Sequence, residues 1–502
     1  MKLNIDPRTL SLLNKLGSFL TEQATKSYIV GGFVRDILLE RASADIDIAV
    51  SGDALVTALK IASAFGGKYI PLDESNGIGR VVLPQTDEDT SQDKWTLDLT
   101  TFGNSIEENL SGRDFTIDAI AVDLDELIRN PNDITLIDPT DGRDDLDMEI
   151  IRMVSPDIFN ADAARLLRAI RLTAELNFKI DEKTEALIRH QCLLVQEVSG
   201  ERIREELLRL FSVPQTEELI YHFDDLGLLG AIIPELVLAK GVDQPNEHFW
   251  NVFDHSMKTV VAVEFLLRHG DWKYYSADIR NSVPWSEELA DYFASDISRG
   301  SSRMALIRIA ALLHDVAKPQ TKAVNDKGRM RFLGHAEDGA VITATILKRL
   351  KFSNKETRLV ETMVRYHLRP GQISREEEMP SHRAIYRYFR DTGEAAINTL
   401  FLSLADHLAA RGPQLKPNHW KRHSQIVNYM LTKRFEETII TPPKLVDGND
   451  LINILGMSPG PSIGEYLEQI REAQVTGELT SREEALSYVK KHIQQGSVQQ
   501  IC

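Results

Sequence analysis

Cysteine is almost absent: Cys192 and Cys502 are the two in a chain of 502 residues. A pair so far apart in sequence builds neither a disulfide scaffold nor a cysteine-rich zinc module, and a reducing cytoplasm is the expected compartment. Long apolar runs are missing too, since no stretch approaches the ~18 residues of a membrane span. The opening "MKLNIDPRTLSLLNKLG" lacks the apolar core and small-residue cleavage site of a signal peptide. A soluble, cytoplasmic protein without a membrane partner is therefore expected. Positive charge is also scarce, with 58 Lys and Arg against 75 Asp and Glu and a formal net charge of −17. Phosphate attraction needs clustered cations, so the chain cannot coat nucleic acid through its overall field, and any contact must be local. There are two basic clusters: Arg165, Arg168 and Arg171, and the run Lys416–Arg434, which by itself reads as a solvated face.

The chain does have length for several cores, roughly two to four domains. Residues 1–150 alternate short β-branched runs with helical ones: "SYIVGG", "ADIDIAV", "IGRVVLP", "WTLDLTTF" and "AIAVDL". This predicts a mixed head with a small sheet. From 151 to 440 the apolar spacing is helical, as in "RIREELLRLF" and "MALIRIAALLHDVAK", and strand signals almost vanish. Stretches rich in Pro, Gly and Asp, Leu238–Phe249 and Ile440–Asp450, mark weak boundaries. The expected protein is α+β: a head over 1–150, a helical neck over 151–240, a helical body over 241–440 and a tail over 441–502.

The stretch Tyr28–Val50, "YIVGGFVRDILLERASADIDIAV", carries the first chemistry. Residues i and i+2 of a strand share a face, so Asp45 and Asp47 project side by side while Ile46 and Ile48 point into a core. Two carboxylates that close repel, and a divalent cation removes the repulsion. Hard oxygen ligands suit Mg²⁺, which works in pairs ~3.5–4 Å apart in nucleotidyl transfer. Asp98, on the later apolar strand "WTLDLTTF", is the natural third carboxylate. Upstream, Gly31 and Gly32 end one strand and open a helix, offering free N–H groups to a triphosphate, with Arg35 adding a cation in the first turn. Taken singly, the glycine pair is a turn and the aspartates are an acidic strand edge; their conjunction points to a nucleotide site.

Further motifs follow in order: "GRDFTIDAIAVD", "DPTDGRDDL", "ADAARLLRAIRL" and "ERIREELLRL". With "GGFVRD" and "DID" they resemble the class II tRNA nucleotidyltransferases and bacterial poly(A) polymerases of the polymerase β superfamily. The resemblance implies a polymerase-β-like head and metal-dependent transfer of NMP from CTP or ATP to the 3′ end of tRNA. It implies that Asp45 and Asp47 hold the metals, Gly32 and Arg35 contact the triphosphate, and Arg113 binds the nucleotide. Asp162 and Arg165 inherit the role of a protein template, because an acceptor beside a donor matches the Watson–Crick edge of cytosine or adenine. Arg168 and Arg171 inherit nucleotide or phosphate binding. At ~100° per residue, Asp162 to Arg168 would share a helix arc with Arg171 opposite, so helix anchoring is a rival role for Arg171. The tail and the run Lys416–Arg434 become candidate tRNA contacts.

The chain departs from the family pattern at Gly112, Ala161 and Asp118, where the family has arginine, an acid and asparagine. It also leaves little room between "DLTTF" and "GRDFT" for the flexible loop of enzymes that add all of CCA. Members restricted to CC addition resemble this arrangement, so C addition is expected, with poly(A) polymerase as the near alternative.

In the helical middle, "FDHSM", "LLHDVAKP" and "LADHLAARG" supply His255, His314, Asp315 and Asp406. Their order resembles that of the HD metal-dependent phosphohydrolases. Imidazoles with carboxylates suit Ni²⁺, Mn²⁺ or Zn²⁺, which can activate a bound water against phosphorus. His335 and His367 are possible extra ligands. Two readings of this region stay open, an active HD phosphohydrolase and a degenerate domain kept for RNA binding; a third possibility is that the HD centre is the enzyme and the head is dead.

Overall fold

The computed structural model describes residues 3–74, 77–84, 94–214, 217–298, 300–373, 378–434 and 442–499. The chain folds as two compact units, residues 1–198 with 225–231 and residues 199–224 with 232–502.

The first unit is built on a sheet of β1 (Ser27–Val30), β2 (Asp45–Val50), β3 (Lys68–Asp73), β4 (Ile78–Val82), β5 (Thr96–Thr101), β6 (Ala121–Asp123) and β7 (Leu136–Ile137). The spatial order is β3-β4-β5-β2-β1-β6-β7. Among the described residues of this sheet, only β2 and β5 pair in parallel; the other neighbours are antiparallel. Helices α1 (Pro7–Glu22), α2 (Gly31–Leu38) and α3 (Ala54–Phe65) come before β3. Asp53 caps α3 by accepting from the backbone N–H groups of Leu55 and Val56, and Gly66 at φ +68° ends it. The sheet face toward α3 is apolar: Ile46, Ile48, Val81, Leu97 and Leu99 are fully buried, and a Cβ on Gly79 would lie 3.2 Å from that of Ala58. By the alternation of strands, Asp45, Asp47, Arg80 and Asp98 stand on the other face. Two strands of this sheet, β3 and β7, escape the sequence reading, as does a short parallel pair beside it, Ile150–Ile151 with Lys179–Ile180. Pro71 interrupts β3, as an edge position permits, and β7 has only two residues.

Past β5 the chain enters α4 (Ile106–Ser111), capped by Ser105, and then a 3₁₀ turn over Thr116–Asp118. After α5 (Leu124–Arg129) and β7 comes α6 (Gly142–Asp147). Asp138 accepts from the N–H groups of Gly142 and Arg143, both at 2.8 Å, and the Thr116 hydroxyl donates to Asp145 at 2.7 Å. A Cβ on Gly142 would collide with the Thr116 carbonyl. The "DPTDGRDDL" motif thereby clamps the turn that carries Asp118. The short α7 (Ile158–Ala161) and the longer α8 (Arg165–Leu176) follow.

The second unit is helical, as expected. It also holds two small ribbons that the sequence reading did not anticipate, Asp296–Ser298 with Ser301–Ser302 and Lys322–Val324 with Met330–Phe332. The helices Val252–Leu266, Arg303–Leu313 and Ala396–Arg411 are buried on almost every side, which marks the centre of a large core. The helix Pro417–Lys433 sinks Trp420, Ile426, Val427 and Met430 and leaves Lys416 and Lys421 outside. The tail helices Gly448–Leu455, Pro461–Val475 and Arg482–Gln499 enclose a core of their own around Leu451, Ile470, Ala485 and Val489. Against them, Arg383 pairs with Glu478 at 3.0 Å and Arg387 with Glu472 at 2.7 Å. No described helix is long and apolar enough to cross a membrane.

One buried ion pair anchors the helix that leads into His314. Arg308, fully buried, donates to Glu264 at 2.7 Å and to the Phe211 carbonyl at 2.6 Å. Removing one member strands a buried charge, so Arg308→Met is expected to cost about 3–5 kcal/mol in chemical denaturation. Arg308→Met with Glu264→Leu should recover much of that loss; a double variant as unstable as the single one would contradict this account.

Candidate functional site

Gly31 opens α2 at φ +69°, a conformation in which a side chain is strained. A Cβ there would run into the Arg113 guanidinium and lie 3.2 Å from Asp47 Oδ2; one on Gly32 would lie 3.4 Å from Arg35 Nη2. The glycine turn therefore lets backbone approach a carboxylate flanked by guanidiniums. Asp45 is exposed at the start of β2, and Asp47 is partly covered. In the parallel register Asp47 sits opposite Asp98, and in the antiparallel one Asp98 sits opposite Arg80. Burial pushes the Asp47 carboxyl up to about 6, with Asp98 and Asp118 adding to the rise and Arg113 and Arg168 opposing it. Asp98 binds Arg80 through both oxygens, each at 2.7 Å.

Asp118 is the hub that the sequence reading noted only as a departure from pattern. Fully buried, it accepts from Arg35 at 2.7 Å and Arg168 at 3.1 Å, and its carbonyl accepts from Arg113 at 3.3 Å. Burial alone would raise its pKa, but Arg35, Arg168, Arg113 and Arg171 together hold it below the usual carboxylate range. Arg35 is only 8 % exposed and also donates to Asp36 at 3.0 Å, so it supports the glycine turn from beneath. Arg168 pairs with Asp114 as well, at 2.9 Å. Arg165 donates to the Gly112 carbonyl at 3.2 Å. Arg171 is buried and pairs with Glu175 at 2.6 Å, in keeping with a helix anchor. The helical arc expected for Asp162 is corrected: α8 begins at Arg165, and Asp162 is extended, at φ −154° and ψ 102°. There its carboxylate accepts from the Ala164 N–H at 3.1 Å, because Asp competes for backbone donors at helix starts. Arg80 and Asp114 were missed; cross-strand alternation in "GRVV" was the signal that could have exposed Arg80.

The helical unit assembles a second cluster. His255 Nε2 lies 3.1 Å from His314 Nε2, 3.3 Å from Asp315 Oδ2 and 3.0 Å from Asp406 Oδ1. The other Asp315 oxygen faces His335 Nε2 at 3.4 Å and His367 Nε2 at 3.8 Å. The Nδ1 atoms of His314, His335 and His367 lie 2.8, 2.6 and 2.7 Å from the carbonyls of Ala311, Phe332 and Val364. A carbonyl can only accept, so each Nδ1 donates, and any ring that is neutral then presents its Nε2 lone pair to the centre. Burial, then the charge of His314, takes His367 down to about 4, leaving it neutral at pH 7. Asp315 Oδ1 and His335 Nε2 are buried with no hydrogen bond, as befits atoms meant for a cation. Ligand atoms of His255, His314 and Asp406, and those of His314, Asp315 and His367, fall within 4.8 Å of one another. The donor chemistry fits a transition metal.

Three family models match: the poly A polymerase head domain over residues 27–152, the probable RNA and SrmB-binding site of polymerase A over 177–239, and the HD domain over 285–411. The chain is 32 % identical over 470 residues to the A-adding tRNA nucleotidyltransferase of Deinococcus radiodurans, covering 92 % of this chain and 94 % of that protein. The chain belongs to the tRNA nucleotidyltransferase family. It is 29 % identical over 473 residues to the CC-adding tRNA nucleotidyltransferase of Thermus thermophilus, covering 92 % of this chain and 93 % of that one. The solved complex of a CCA-adding enzyme with ATP shares the fold, at a TM-score of 0.60 and 21 % identity, across 98 % of this chain and 95 % of that chain. The resemblance read from the motifs is thus borne out, as is the expected α+β architecture. His255 lies upstream of the matched HD span, yet the fold delivers it to the cluster.

A carboxyl raised to about 6 is harder to ionise folded than unfolded, so above pH 6 its charge works against the fold. Asp47→Asn in this tRNA nucleotidyltransferase should raise stability by about 1–3 kcal/mol at pH 8. The gain should fade as pH falls towards 4, which melting curves across pH would read.

Proposed function

We propose that the head transfers CMP from CTP to the 3′ end of tRNA, and that the observation carrying this reading is the alignment of Asp47 and Asp98 beside the glycine turn and its arginines. Asp45 and Asp47 would hold Mg²⁺, with Asp98 as third carboxylate; bound there, the cation supplies charge neutralisation to the triphosphate. Gly31 and Gly32 admit the phosphates close to backbone, and Arg113 contacts them. Asp162 and Arg165 offer an acceptor and a donor to the base, while Arg168, steered by Asp114 and Asp118, contacts the nucleotide. Arg35 and Arg171 hold these groups in place. The partition into head (1–150), neck (151–240), HD body (241–440) and tail (441–502) assigns base selection to the neck and tRNA contacts to the tail.

C addition is favoured because only Phe102, Gly103 and Asn104 separate β5 from the Ser105 cap of α4. So short a link has no room for the charged loop that the family uses when its pocket turns from CTP to ATP. The runner-up is addition of A, the activity named for the Deinococcus relative. Single-nucleotide assays on tRNA lacking CCA decide between them: CTP alone should extend the end by two cytidines, and ATP should add little afterwards. Efficient incorporation of the terminal A would refute the C-adding reading.

A second reading concerns the helical unit, where His335 and His367 approach the Asp315 oxygen that faces away from His255. We infer a metal-dependent phosphohydrolase centre, with Ni²⁺, Mn²⁺ or Zn²⁺ held by His255, His314, Asp315 and Asp406, and His335 and His367 available to a second ion. Elemental analysis should find transition metal in the wild type, and less in both His314→Ala and His367→Ala. Unchanged stoichiometry in His314→Ala would count against this centre.

A further inference from the structure

The head's third carboxylate already has a cation of its own. Arg80 and Asp98 are direct cross-strand partners, and the guanidinium grips both carboxylate oxygens at 2.7 Å in a two-pronged pair. Adjacent strands lie about 4.7–4.9 Å apart, so Asp47 and Asp98, aligned in the parallel register of β2 and β5, are close enough for one divalent ion to touch both. The same face carries Arg80, because Gly79 beside it presses on α3. Neither member of the pair is deeply buried, with side chains 28 % and 21 % exposed. The pair can therefore open without stranding a charge away from water.

We propose that Arg80 is an internal counter-ion which holds Asp98 while the head is empty and gives it up when a divalent cation and a nucleoside triphosphate are loaded. This inference rests on Asp98 being the third metal-binding carboxylate. The physical reason is competition. A carboxylate engaged through both oxygens offers its guanidinium partner the charge and two of the lone pairs that a metal would also use, so the two cations compete for it. A released guanidinium, repelled by the incoming cation and carried on a long flexible stem, finds its next partner in the polyanionic triphosphate. Arg80 then weakens metal binding to the empty head and strengthens nucleotide binding to the loaded one, which couples the two events. Arg80 is a positioning residue in this scheme: it sets when Asp98 is available and touches no reacting atom.

The test uses the full-length protein freed of metal, with Mn²⁺ binding followed by the electron paramagnetic resonance of the free ion. Only the sites abolished by Asp47→Asn are counted, which separates the head from the HD cluster. Arg80→Met should tighten Mn²⁺ binding at least about fivefold in the absence of nucleotide. It should also raise the KM for CTP about tenfold while kcat changes less. Arg80→Lys, which keeps the charge but loses the two-pronged contact, should shift Mn²⁺ affinity in the same direction and guards against misfolding of the Met variant. In an Asp98→Asn background, Arg80→Met should no longer tighten Mn²⁺ binding. A purely structural clamp would weaken both metal and nucleotide binding, so unchanged or weaker Mn²⁺ binding in Arg80→Met and Arg80→Lys overturns the proposal while leaving the Asp98 reading intact. If Asp98→Asn alone leaves Mn²⁺ binding unchanged, the Asp98 reading itself fails and takes the proposal with it.

Discussion

Asp118, one completely buried carboxylate, ties together parts of the first unit that are far apart in sequence. Arg35 comes from the helix after the glycine turn, Arg168 from α8, and Arg113 from the segment just before Asp118 itself. A buried carboxylate is tolerated only if its charge is matched and its lone pairs are occupied. Satisfying Asp118 therefore draws the glycine turn, the "GRDFT" segment and the arginine helix to one point. Arg113 and Arg168 in turn lower the cost of ionising Asp47 next door, where burial acts in the opposite direction. A chain with a net charge of −17 thus gathers four arginines around one buried carboxylate.

The helical unit solves a related problem with different chemistry. There the imidazole Nδ1 atoms donate to carbonyls of the preceding turn, so no counter-charge is spent on orientation and the Nε2 atoms converge on Asp315. The helices that deliver His255, His314 and Asp406 are buried almost all round. Their rigidity comes from close packing, reinforced by the Arg308–Glu264 pair one turn and a half before His314. His314, His335 and His367 stand at helix ends, whereas Asp47, Asp98 and Asp406 project from within regular elements.

Much of this was legible in sequence because its signals are local. The i, i+2 spacing of Asp45 and Asp47 put them on one face, and the helical period over 151–440 announced a helical region. The family motifs located Gly31, Arg113, Arg165 and the four HD positions residue by residue. What was not legible is instructive. The position of Asp162 before α8 depends on its capping of Ala164, a competition between side chain and helix that a wheel projection ignores. The role of Asp118 was hidden because its partners, Arg35 and Arg168, lie 83 and 50 positions away.

The sequence by itself determined which groups could bind metal and phosphate, since residue type and short spacing decide chemical capacity wherever the chain is regular. Tertiary structure alone decided which of those groups are engaged with each other. Asp98 could be read as a metal ligand from its strand, but only sheet order brings Arg80 opposite it. His335 and His367 could be counted as candidates, but only helix packing turns both toward the same oxygen of Asp315. The reason is physical: an ion pair or a ligand set is set by distance and burial, and neither is defined until distant segments have been packed against one another.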